Sequence, residues 1–238
     1  MTDPFKLWSY LASGPLLWLW ATLIAYWIGD TLFKLSGRSS FVNPVMVAVV
    51  LLGGVLLMTG TPYQRYFDGA QFVHFMLGPA TVCLAVPLQA NLPKVRKALL
   101  PILAGLLAGS ATAIVSVLAI AKAMGAGPEL LASLAPKSVT APVAIGISQS
   151  LGGEPSLTAA LVILTGMIGA ITVTPMLNVL GFRDWRARGF AVGVAAHGIG
   201  TARAFQVHET AGAFASIGMG LNAVLTAFLA PVLLSLFG

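Results

Sequence analysis

Charged positions in this chain are segregated from apolar ones rather than interleaved with them. Five runs contain no Asp, Glu, Lys or Arg, at 7–29, 39–64, 69–93, 98–121 and 155–182, and a sixth, 210–238, closes the chain. Each exceeds the roughly 20 residues that an α-helix needs to cross a bilayer. A transmembrane β-barrel would instead show segments of about ten residues alternating between apolar and polar positions. The pattern therefore predicts an all-α, polytopic membrane helical bundle. The first run, preceded by the single Lys6, has a long Trp-rich core and lacks a small-residue cleavage site, so it is expected to be a retained span rather than a signal peptide. Its four tryptophans suit an interfacial or lipid-facing helix.

The interruptions are as informative as the runs. Three basic clusters, Lys34/Arg38, Lys94/Arg96/Lys97 and Arg183/Arg186/Arg188, belong on the cytoplasmic face by the positive-inside rule. Between the second and third lie 98–124, 128–153 and 156–181. Three full crossings would put those clusters on opposite faces, whereas two would not. The middle segment is broken by Pro136, Pro142, Gly146, Gly152 and Gly153 and charged by Glu129 and Lys137, so it is expected to be a re-entrant hairpin or a discontinuous helix. Similar Pro/Gly-rich, polar-dotted stretches begin near Gly78, Ala135 and Ala196, about 57 to 61 residues apart, each preceding a long apolar helix. This spacing points to internal repeats. The expected organisation is one integral membrane domain, 1–238, with 7–60 as a scaffold and 67–238 as a transport-like core. That core carries broken segments near 78–93, 135–150 and 193–210, which are the best sequence pointer to a carrier's binding site.

Composition sharpens the class. Apolar residues make up 58% of the 238 and charged residues only 8%, with a mean hydropathy of +0.92. The isoelectric point near 9.8 would suggest nucleic acid in a soluble protein. Here the cations collect in short loops beside spans, which explains them by orientation and leaves no nucleic-acid partner. Cys83 is the only cysteine, so no intrachain disulfide or cysteine-based metal site is expected. The carboxylates are dispersed, and no H-E-x-x-H, P-loop or nucleophile elbow occurs, so an enzyme, a metal centre or a cofactor is not expected.

The candidate chemistry sits in the broken segments. Lys137 follows Pro136 in "LAPKSVTAPVAIGISQS", where a helix start would gather backbone N–H groups, the ammonium and the hydroxyls of Ser138 and Thr140 in one region suited to an anion. The plainer alternative is a snorkelling lysine or a pair with Glu129, the hydroxyls bonding back to helix carbonyls. "GVAAHGIGTARAF" supplies His197, Thr201 and Arg203 among glycines that allow close approach. Arg203 can hold a carboxylate bidentately or can satisfy Glu209 or a group of carbonyls. His197 can relay a proton or serve as a hydrogen-bonded structural group. Thr81, Gln89 and Asn91 in "GPATVCLAVPLQANLP" offer an uncharged pocket wall. Gly105 and Gly109 are spaced as a helix-packing pair.

"NPVMVAV", "LGPATVCLAVPL", "LAPKSVTAPVAI" and "AHGIGTARAF" stand in the order found in the LrgB/CidB family, which the chain resembles over roughly residues 40–238. Members are described as antiholin-like proteins or effectors of murein hydrolase export, encoded beside a small LrgA/CidA partner. Relatives include the plant chloroplast glycolate/glycerate translocator, and some bacterial pairs are linked to pyruvate uptake. The resemblance implies a multi-pass protein of the bacterial cytoplasmic (inner) membrane carrying small monocarboxylates, with Lys137, Ser138, Thr140, His197, Thr201 and Arg203 as the matching site residues. It departs at Gln89, where the family pattern calls for tyrosine. Buried cations flanked by broken helices favour a carrier working by alternating access; the alternative is an antiholin-like regulator of murein hydrolase acting with its small partner. A coupling proton or cation and a homodimer through the 7–60 scaffold remain open.

Overall fold

A computed structural model of the chain describes residues 14–39, 41–76 and 98–237, together with positions 79, 83, 89, 93 and 96; the side chain of His74 lies outside this set. The described residues are helical, without strands, and fall into two compact units that divide between Cys83 and Leu84.

The first unit contains α1 (Pro15–Leu35), α2 (Pro44–Thr59) and α3 (Tyr63–Phe75). Two of these starts are written in the sequence, because proline at the first helical position costs no hydrogen bond. Asn43 adds a side-chain cap, its carbonyl oxygen accepting from Val45 N at 2.9 Å and Met46 N at 3.3 Å. Glycine lets the helices touch: a Cβ on Gly69 would overlap the Pro15 carbonyl. The Trp-rich helix is not uniformly lipid-facing. Trp20 and Trp27 are exposed, but Trp18 is buried and meets Tyr66 edge-on at 5.9 Å.

The second unit contains α4 (Leu99–Ala123), α5 (Pro128–Leu134), α6 (Ala141–Ser150), α7 (Pro155–Val179), α8 (Trp185–Val207) and α9 (Glu209–Ser235). Among the described residues, α1, α4, α7 and α9 are long and apolar enough to cross a membrane. The run at 39–64 yields only the 16-residue α2, about 24 Å long and shorter than the hydrocarbon core.

Contacts fix the directions within this unit. Ala98, just before α4, packs beside Phe190 in the first turns of α8, while Lys122 at the other end of α4 donates to the Phe237 carbonyl beyond α9. Helices α4 and α9 therefore run in the same direction. Helix α7 runs against them: Thr158 at its start bonds Ser148, and Leu177 near its end packs with Val192 and Ala211.

Neither remaining segment forms a helix long and apolar enough to cross. Residues 128–153 form a re-entrant hairpin, with α5 and α6 as arms and 135–140 as the tip. The last turn of α5 and the last turns of α6 are tied to the start of α7 by Glu154 N donating to Ser133 Oγ (2.8 Å) and Thr158 Oγ1 donating to Ser148 Oγ (2.6 Å). Helix α8 is broken at Ala196 (φ −126°, ψ 17°) and His197 (φ 40°, ψ −135°), and its second half folds back on its first. A Cβ on Gly200 would lie 2.9 Å from Val192 Cγ1, and His208 at the end stacks on Trp185 at the beginning, 4.8 Å between centroids. Two hairpins thus enter from opposite faces. Between the second and third basic clusters, α4 and α7 are the described helices long and apolar enough to cross.

Irregular backbone at membrane depth survives only where protein covers it. Val139, Ala135 and Ala144 in the first hairpin are buried against Ile114 and Leu118 of α4, Val162 of α7 and Ala230 of α9. The second hairpin is gripped at backbone distance: a Cβ on Gly189 or Gly193 would overlap the carbonyl of Ala211 or Ala215.

Candidate functional site

The two tips meet at half depth. Asn222 is the middle residue of the 27-residue α9, and its amide nitrogen donates to Ser138 O in one tip and to Val194 O beside the other, each at 3.1 Å. Its oxygen accepts from Ser110 Oγ near the middle of α4 and from Thr226 Oγ1 at 3.4 Å. Sequence analysis did not single out Asn222. The available signal was an isolated amide in the charge-free run 210–238, since polar groups inside a span are costly and usually face the bundle interior.

At or around this node stand five of the sequence-derived candidates, Ser138 among them through its carbonyl. Lys137 is partly buried, and its ammonium donates to Ser138 Oγ at 3.2 Å. His197 is buried, with Nε2 2.9 Å from the Val162 carbonyl, and Thr201 Oγ1 donates to the His197 carbonyl at 2.7 Å. Glycine makes room for the imidazole: a Cβ on Gly166 would sit 2.6 Å from its Cε1. Thr140 caps α6 by position and backbone, its carbonyl accepting from Ala144 N at 2.9 Å, without a side-chain cap bond. The first N–H groups of α6, and those of the return arm of α8 beginning at Gly198, start at the level of the tips. This is the positive end of each dipole.

Arg203 is placed elsewhere. It lies six residues beyond His197, about 9 Å along the return arm, and lines a small cavity shared with Trp185, Arg188, Val173, Thr174 and Leu177. Arg188 also differs from a simple surface marker of orientation. It is buried, donates to the Phe182 carbonyl at 3.2 Å and lies over the Trp185 ring, 4.6 Å from its centroid. The possible wall residues Thr81 and Asn91 lie outside the described residues, and Gln89 is helical and exposed.

A cavity of about 750 Å³ follows α4 and the first arm of α8. It runs from Asp184, Arg186 and Arg188 past Pro101, Gly105, Gly109 and Phe190 to Ala113 and Ala195, close to the tips. At its basic end Asp184 caps α8, accepting from Arg186 N at 2.8 Å and pairing with the Arg186 guanidinium at 2.6 Å. Those hydrogen bonds, the side-chain one first, hold its carboxyl down to about 2. Among the described residues no cluster of His, Cys, Asp or Glu could hold a metal ion.

Fold and site together define a polytopic helical membrane protein in which two opposed re-entrant hairpins close on a central polar node. The chain belongs to the LrgB-like family, whose model matches residues 22–236. It is 36% identical to the holin-like protein CidB of Staphylococcus epidermidis over 216 residues, 91% of this chain and 94% of that one. It is 35% identical to the holin-like protein CidB of Staphylococcus aureus over 222 residues, 93% and 96% of the two chains. It is 36% identical to the uncharacterized protein YwbG of Bacillus subtilis over 217 residues, 91% of this chain and 96% of that one. No solved structure matches the chain.

Proposed function

We propose that the protein is a carrier of small monocarboxylates, such as 2-hydroxy or 2-oxo acids, in the bacterial cytoplasmic membrane. The observation that carries this reading is the meeting of two hairpin tips at half depth beside Lys137. A partly buried ammonium and two helix N-termini at one level suit a carboxylate, and broken helices at the midplane are where alternating-access carriers bind their solutes. Lys137 serves as counter-ion, with Ser138, Thr140 and Thr201 turning their hydroxyls to the 2-substituent and His197 completing the wall. Arg203 acts at a second station, about 9 Å along the arm. The apolar cavity gives access from the basic face, and its volume is ample for a small acid.

A second reading is favoured by the relatives named holin-like protein CidB. In it the protein regulates murein hydrolase activity together with a small LrgA/CidA-type membrane partner, and the buried cations serve protein contacts.

Uptake of radiolabelled glycolate and pyruvate into liposomes containing the purified protein separates the two. The carrier reading expects saturable uptake, reduced at least tenfold by Lys137→Met inserted to the same level and reduced less by Arg203→Met. Absence of uptake by wild-type protein, alone and with the small partner, supports the holin-like reading instead.

A further inference from the structure

Both carbonyls that Asn222 meets have lost their helical partners for reasons visible in the chain. The residue four positions after Ser138 is Pro142, which has no N–H to give. The residue four positions after Val194 is Gly198, which the break at Ala196 and His197 turns out of the helix. Left unpaired at membrane depth, each carbonyl would be costly. One primary amide has two N–H groups, and here each serves one hairpin at the same length, 3.1 Å. Asn222 itself is 1% exposed, with its oxygen engaged on the opposite side by Ser110 and Thr226.

We propose that Asn222 is a positioning residue that latches both hairpin tips to α9, one N–H group per hairpin, and so sets when each tip can open. The latch is a property of the fold and stands or falls on tip accessibility, whereas the carrier reading stands or falls on uptake. Because the two bonds go to separate hairpins, either can break while the other holds.

The test is the rate of maleimide labelling of single cysteines at the buried tip positions Ala135→Cys and Ala196→Cys, in protein whose native thiol is removed by Cys83→Ser, reconstituted in lipid. With Asn222 intact both sites label slowly. Loss of a hydrogen bond to each tip in Asn222→Ala is expected to speed labelling at both by about fivefold to tenfold. In Asn222→Asp a protonated carboxyl can hold one tip and an ionised one neither, so labelling becomes faster with rising pH beyond the reagent's own pH dependence. Ser110→Ala removes a partner of the Asn222 oxygen while sparing both N–H bonds, and is expected to leave the tips slow. Equal acceleration by Ser110→Ala and Asn222→Ala would show general loosening and overturn the latch, as would unchanged labelling in Asn222→Ala.

Discussion

Single residues decide where the chain may stop being a helix. His197 holds φ at 40°, a conformation that L side chains rarely adopt, and it is kept there by its bond to the Val162 carbonyl and by the absence of side chains at Gly166 and Gly169. Such strain costs on the order of 1–3 kcal/mol and persists only where its surroundings over-determine it. Asp184 does simpler work at the mouth of the same hairpin. With its carboxyl lowered to about 2 from an unfolded value of about 3.9, its contribution is present in full above the unfolded value and is lost as pH falls through about 2. Asp184→Ala is expected to lower stability at pH 7 by about 1 kcal/mol through the lost cap, and Asp184→Asn by less. Unfolding in detergent from pH 7 downward checks both size and sign. A gap between wild type and Asp184→Ala that already closed near pH 5 would contradict the assignment.

At the scale of elements, the second hairpin depends on backbone contact with α9. The Gly189 and Gly193 positions let α8 approach until no Cβ fits, which is how small residues drive association between helices in lipid. Gly220, on the same α9, is exposed with open space around its Cβ position. Gly193→Ala is therefore expected to destabilise by about 1–3 kcal/mol, and Gly220→Ala to stabilise by about 0.5–1 kcal/mol. Thermal unfolding of the two variants side by side measures this, and equal shifts would remove the close-packing argument. Gly14-Pro15, Asn43-Pro44, Gly127-Pro128 and Glu154-Pro155 each open a helix, but the start expected at Pro136 is not there: 135–138 form turns and α6 begins only at Ala141, with Pro142 in its first turn. The fold-back of α8 was legible only as a broken segment, because His197 gives no local signal of direction.

At the scale of the molecule, the second unit has one end formed by Ala98, Asp184 and Trp185 and another formed by Lys122, Gly125 and Phe237. The positive-inside rule assigns the first end to the cytoplasm. Cysteines placed at Phe182 and at Gly125 are then expected to label from opposite sides in intact cells with an impermeant reagent, Gly125 from outside. Labelling of both from one side would require two crossings between them, or none, in place of the single one by α7, and would break the topology.

Sequence by itself determined the class and the partition of the chain. Which stretches are apolar enough for lipid and which segment is broken follow from local composition, since hydrophobicity, charge and proline act on their own neighbourhood. The candidate residues around Lys137 and His197 were found the same way, as charges and breaks where a span should be uniform. Only the tertiary structure decided how they combine. Asn222 joins Ser138 from 84 positions away, Val194 from 28 and Ser110 from 112, while Arg203, six residues from His197, is carried to another cavity. Such meetings depend on which way a hairpin folds back and how closely helices pack, and those are set by the fit of whole surfaces rather than by any one stretch of chain.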